Sequence, residues 1–271
     1  MKKIVLLISI FILAISLVGC GGDNKKTEKP AAKEIKIGAT AGPHAQVVEA
    51  VAKEGKKQGL DIKVIEFSDY ITPDKALADG EIDLVSYQHK PFMENFNKQN
   101  KSDLVAIGKT ILMRMGIYSD KHKDLKILPE NAVIAIPNDP TNGGRGLVLL
   151  EKAGLIKLKE GVGFKATAKD VVENPKKFQF KELEAAQLPR SLPDVDAAVI
   201  TMNYVMSGGL DVQKQGLFWE TKDEPLAVMI LAVKSKDKDN ATYLKIAELF
   251  HSEGVRKYIA DTFKGTIVPA E

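Results

Sequence analysis

From residue 34 to residue 263 the chain alternates short apolar runs of strand length with segments whose apolar residues recur at helical spacing. This alternation limits the fold more than any other feature, because strand–helix–strand units build a mainly parallel sheet with helices on both faces. Residues 34–39 are rich in Ile and read as the first strand, broken by Thr40-Ala41-Gly42-Pro43. A helix follows from about Ala45, with Val47, Val48, Val51 and Ala52 on one face, and ends near Gly59. Residues 60–67 place Ile62, Val64, Ile65 and Phe67 in a second strand. Thr72-Pro73-Asp74 opens a helix that Gly80 stops, and 82–85 reads as a short buried strand. A second series follows: strand 133–136, helix 144–153, strands 178–183 and 197–200, a long apolar strand 225–233, and helices 241–250 and 254–263. Strands near 115–118 and 226–233 are placed to cross between two α/β lobes. Lobe I is expected to be 34–114 plus 227–271, and lobe II 115–226. Ligands in open α/β sheets sit beyond the carboxyl ends of the strands, so a cleft between two lobes collects several such ends.

Ahead of this body, Lys2 and Lys3 precede an apolar run, 4–18, that ends in Gly19-Cys20. A basic start, a short apolar stretch and small residues at its end read as a secretory signal peptide, here residues 1–19. The run is shorter than the ~20 residues a membrane-spanning helix needs. Cys20 is the only cysteine of the chain, so it has no intrachain disulfide partner. A small residue before a lone Cys, with Leu17 three residues upstream, resembles the bacterial lipoprotein signal. In that reading Cys20 becomes the mature N-terminus and carries lipid, which places the protein on the extracytoplasmic face of a cell membrane. Residues 20–33 are polar, contain Pro30 and lack aromatic and β-branched apolar side chains, and so read as a flexible tether. The formal charge of +3 falls to +1 without Lys2 and Lys3. The tether sets four lysines against Asp23 and Glu28, leaving the body near −1. A nucleic-acid partner would require a strongly basic face.

Two runs carry candidate chemistry. Asn138-Asp139-Pro140-Thr141-Asn142-Gly143-Gly144-Arg145 follows the strand at 133–136. Asp-Pro makes a turn, and Thr141 or Asn142 is suited to cap a helix beginning near Gly143. Free N–H groups and the positive helix end favour an anion there. Arg145 adds a planar fork that fits a carboxylate. A cation at a helix N-terminus needs an anionic partner: a ligand carboxylate, or a carboxylate of the protein's own, Asp139 or a neighbouring Glu. The second run is Tyr87-Gln88-His89-Lys90-Pro91-Phe92. Tyr87 and Phe92 offer aromatic faces around the polar nitrogen of His89, suited to an apolar or thioether side chain. The same pattern also fits core aromatics around a satisfied histidine. His44, His89, His122 and His251 lack metal-ligand spacing, and no Gly-x-Ser-x-Gly elbow is present, so neither a metal centre, a cofactor nor an enzyme is expected. Asp194 and Asp196 read as a solvated turn.

Several of these runs resemble the NlpA/MetQ family of methionine-binding lipoproteins. They are 87–92, the stretch 137–145, Gly154-Leu155-Ile156-Lys157-Leu158-Lys159, Val171-Val172-Glu173-Asn174-Pro175 and 183–192. The resemblance covers nearly the whole body from Lys36 onward. It implies a two-lobe, periplasmic-binding-protein-like (type II) α/β fold that closes on its ligand, monomeric, with an ABC permease and its ATPase as partners. Carried over by position, it puts Arg145 on the ligand carboxylate and Asn142 beside it. Tyr87, His89 and Phe92 form the side-chain wall, and His44 lies near the cleft mouth. Thr201 and Val228 stand where the family usually has Asn, with Asn203 two residues beyond Thr201. Either Thr201 and Asn203 take over the ligand's amino end, or the ligand is a relative of methionine such as a dipeptide or another apolar carboxylate. A surface lipoprotein serving adhesion or signalling is the competing class.

Overall fold

The computed structural model describes residues 34–271. The signal segment 1–19, the tether 20–33 and Cys20 lie outside the described residues. In chain order the strands are β1 (Ile35–Thr40), β2 (Ile62–Phe67), β3 (Leu84–His89), β4 (Leu104–Met113), β5 (Met115–Tyr118), β6 (Val133–Pro137), β7 (Lys157–Leu158), β8 (Val171–Glu173), β9 (Gln179–Leu183), β10 (Ala197–Thr201), β11 (Gly216–Trp219), β12 (Val228–Lys234) and β13 (Ile267–Pro269). The helices are α1 (Pro43–Lys57), α2 (Thr72–Asp79), α3 (Lys90–Asn100), α4 (Pro140–Lys152), α5 (Leu188–Ser191), α6 (Met202–Ser207), α7 (Val212–Gln215), α8 (Ala241–Leu249) and α9 (Glu253–Phe263).

The first sheet runs β13-β4-β12-β3-β1-β2, and the second β11-β5-β10-β6-β9; β7 and β8 form a small separate pair. β1 is parallel to β2 and β3, as the strand–helix alternation requires, while β12 runs antiparallel between β3 and β4. In the second sheet β6 is parallel to β9 and β10, and β5 is antiparallel to β10 and β11. The chain passes from the first sheet to the second at Arg114, between β4 and β5, and returns through 220–227, between β11 and β12. The described residues thus form two α/β sheets joined by two crossings of the chain.

β10 shows why its sequence makes a central strand. Ala197 and Val199 enter one hydrophobic core while Ala198 and Ile200 enter another, the period-2 alternation of a strand buried on both faces. α1 starts with Pro43 at its first position, preceded by Gly42 at φ 94°, and buries Val47, Val48 and Val51 against the first sheet. Gly80 ends α2 in the left-handed conformation at φ 81°.

The structure departs from the sequence reading at two boundaries and in the role of one residue. α4 begins at Pro140, not near Gly144, and its N-cap is Asp139, not Thr141 or Asn142. The Asp139 carboxylate accepts from the Asn142 backbone N–H at 2.8 Å, and proline at the first helical position gives up no needed donor. The apolar run from Pro225 forms a 3-10 turn, Pro225–Ala227, before β12 starts at Val228. Asp196 is no solvated turn residue: its carboxylate accepts from the Val133 N–H at 2.9 Å and lies 3.0 Å from His122 Nε2.

Candidate ligand-binding site

Four strand ends converge where the two sheets face each other. His44 lies in the first turn of α1, just beyond β1, and His89 ends β3 and caps α3. Asn142 and Arg145 come from α4 after β6, and Thr201 and Asn203 from the junction of β10 and α6. With Tyr87 and Phe92, all eight side chains singled out in the sequence line one cavity of about 20 Å³, room for about one water. Tyr70, Gln88, Met113 and Met229 complete its wall, and sequence reasoning had assigned none of them there. Tyr70 carried one legible signal, an aromatic in the loop after the carboxyl end of β2. Val228 is not part of the wall, although its neighbour Met229 is.

One side of the cavity is aromatic. Phe92 meets Tyr70, Tyr87 and His89 edge to face, with ring centroids 6.3, 6.1 and 6.1 Å away. Such rings with two flexible thioethers suit a slender apolar side chain. The tautomer of His89 follows from its bonds. Nδ1 accepts from the Phe92 N–H at 3.2 Å, which leaves Nε2 to donate to Asn142 Oδ1 at 3.0 Å. Asn142 in turn donates through Nδ2 to Asp139 Oδ2 at 3.1 Å. This relay needs a neutral imidazole. Burial, helped by the nearby Arg145 charge, lowers the His89 pKa to about 3, and burial alone lowers that of His44 to about 3.

Arg145 does not pair with Asp139. Its Nε donates to Glu220 Oε1 and its Nη2 to Glu220 Oε2, each at 2.6 Å, and Nη2 also reaches the Met113 carbonyl at 3.1 Å. Both partners are almost fully buried, the side chains 4% and 2% exposed. Among the described residues no acceptor takes Arg145 Nη1, and Arg145 lines the cavity. The guanidinium thus has two arms held and one without an acceptor among the described residues. Glu220 gave no sequence signal because it lies 75 positions from Arg145.

Thr201 Oγ1 is hydrogen-bonded to the Tyr70 hydroxyl at 2.9 Å. Asn203 Nδ2 donates to the Ala41 carbonyl at 3.2 Å, and Asn203 Oδ1 accepts from the His44 N–H at 3.4 Å. Both residues therefore already tie the second sheet's side of the cleft to the first. Gln88 Oε1 is buried with no hydrogen-bond partner among the described residues.

The sequence profile of the NlpA lipoprotein family matches residues 35–271. The chain belongs to that family. A D-methionine-binding lipoprotein MetQ of Escherichia coli O157:H7 is 41% identical over 264 residues, covering 96% of this chain and 95% of the relative. A nutrient binding protein from Burkholderia cenocepacia, solved bound to methionine, is 44% identical with a TM-score of 0.85, covering 88% of this chain and all of that one. An ABC transporter periplasmic substrate-binding protein from Coxiella burnetii is 39% identical with a TM-score of 0.83, over 87% of this chain and all of its own. Among the described residues no helix is long and apolar enough to cross a membrane.

Proposed function

We propose that the chain is the solute-binding component of an ABC importer, binding methionine or a closely related amino acid or small peptide in the cleft. Arg145, with no acceptor on Nη1 among the described residues, lines the same cavity as the aromatic rings and thioethers, and this is the observation that carries the reading. The ligand carboxylate lies on Nη1 beside Asn142, and the side chain against Tyr87, His89, Phe92 and Tyr70. Gln88 Oε1, the unpartnered buried acceptor in the wall, faces the ligand's N–H donors, with Thr201 and Asn203 nearby and His44 closing the mouth. The named binding relatives support the ligand class. The cavity is too small for an amino acid as it stands, so binding proceeds through parting and closing of lobe I (34–114 with 227–271) and lobe II (115–226) about Arg114 and 220–227.

Lipid on Cys20 holds the monomer to the extracytoplasmic face, and a permease with its ATPase accepts the ligand. The site takes part in no chemistry of its own: the His89 imidazole is held by the Asn142 amide and the Tyr70 and Thr201 hydroxyls by each other, none of them as a base beside a nucleophile. Native mass spectrometry of the protein as purified tests the ligand class. Methionine or a methionine-containing molecule is the expected retained mass, and a sugar or a metal ion in its place would refute the reading.

A further inference from the structure

The cavity wall holds one cation, Arg145, and no carboxylate. Its two histidines are neutral, His89 by the tautomer its bonds require. Taken alone, that wall carries one positive charge and would favour an anion. Directly behind it stands Glu220, outside the wall and nearly fully buried. Both of its carboxylate oxygens accept from Arg145, and Oε2 accepts from the Met115 N–H as well, at 2.6 Å. Its own backbone N–H returns to the Met115 carbonyl at 3.0 Å, and Arg114 Nη1 reaches its carbonyl at 3.4 Å. Glu220 is thus fixed at both crossings between the lobes and cannot swing away from Arg145. Two other carboxylates lie nearby: the charge of the half-buried Asp139, on the open groove outside, is taken up by the N-terminal donors of α4, and Asp74, fully buried behind the wall residue Gln88, has its pKa raised by burial to about 7.

We propose that Glu220 is a specificity-determining positioning residue: it holds Arg145 with one arm open and cancels its charge, so that the cleft selects a zwitterion over a bare carboxylate. This deepens the functional reading above and rests on it. A net-neutral low-dielectric site gains little from a ligand with net charge −1, because attraction to the guanidinium is offset by repulsion from the carboxylate behind it. A zwitterion brings no net charge, and its carboxylate still finds the oriented Nη1.

The test compares L-methionine with 4-(methylthio)butanoate, the same skeleton without the ammonium, by calorimetric titration of the purified protein and its variants. In the parent, methionine binds the more tightly. In Glu220→Gln, which keeps the shape and removes the charge, the preference shifts toward the butanoate by at least about tenfold. Glu220→Asp retains the charge and stays near the parent ratio, a rescue that a purely structural role does not give. An unchanged ratio in Glu220→Gln, no detectable gain for the butanoate, or an equal shift in Glu220→Asp would overturn the proposal. If the parent binds no methionine, the functional reading fails instead, and the charge pairing is decided by stability. Glu220→Gln then loses stability that Arg145→Met/Glu220→Gln recovers if the pair cancels as described; additive losses would refute it.

Discussion

Asp74 shows how burial alone sets the charge of a side chain in this fold. It sits on α2 beneath the cavity wall and is fully buried. Burial raises its pKa from 3.8 to about 7, against the opposing effect of hydrogen bonds from Gln88 and Tyr87. Gln88 Nε2 donates to Asp74 Oδ1 at 2.5 Å, while Asp74 Oδ2 has no partner among the described residues. Folded Asp74 keeps its proton up to about pH 7, whereas the unfolded chain releases it near 3.8. Between those values the folded state binds more protons, so the contribution of this group to stability falls as pH rises. At pH 8 the loss is at most ~4 kcal/mol. Asp74→Asn removes the ionisable group and supplies a donor. Denaturant melts at pH 4, 5.5 and 8 should show the variant gaining on the parent with each step up in pH, and parallel profiles would contradict this.

At the scale of elements, α4 carries Asn142 and Arg145 of the cavity wall, and the sequence disclosed it unevenly. The residue types were legible: Asn142, Arg145, Tyr87, His89, Phe92, Thr201, Asn203 and His44 all reach one cavity. They stand at strand ends and first helical turns, positions that local patterning locates well. The start of α4 was harder to read, because Gly143-Gly144 look like helix breakers while Asp139-Pro140 is the true cap and first residue. Those glycines answer to tertiary packing. A Cβ on Gly144 would lie 2.0 Å from the Phe164 carbonyl oxygen, and one on Gly143 2.7 Å from that of Pro137. Both obstacles are backbone, so no rotamer change relieves them. Gly144→Ala should cost ~3 kcal/mol in a urea melt or rearrange the 163–165 turn. Gly146→Ala, whose Cβ meets only Val199 and Pro137 side-chain atoms from 3.3 Å outward, is the mild control. Equal behaviour of the two would show that α4 is not seated as described. Glu220 and the wall residues Met113 and Met229 escaped the sequence reading for a related reason. Their roles come from where two crossings return, and local periodicity does not encode that.

On the scale of the whole molecule, the cleft is fastened by direct bonds between the two sides. Tyr70 meets Thr201, His89 meets Asn142, Asn203 grips Ala41 and His44, and the Tyr204 hydroxyl donates to the Ser68 carbonyl at 3.2 Å. The Tyr70 and Tyr204 rings lie with centroids 4.7 Å apart, tilted 42° to each other. A ligand that adds its own contacts to both sides would shift the balance toward a closed form wide enough to hold it, and only a difference in affinity between open and closed forms can do so. The buried Arg145–Glu220 pair ties the Arg145 side of the cleft to both crossings, so under the proposed ligand placement the atoms that receive the carboxylate lie at the proposed pivots. The decisive measurement is calorimetric titration with L-methionine of the protein, freed of retained ligand by unfolding and refolding, beside Arg145→Gln/Glu220→Gln. The double variant removes both charges and leaves no buried ion unpaired. Micromolar or tighter binding by the parent, weakened at least ~100-fold in the variant, is the predicted result. Equal binding by the two proteins, or none by the parent, would contradict the placement of the ligand on Arg145.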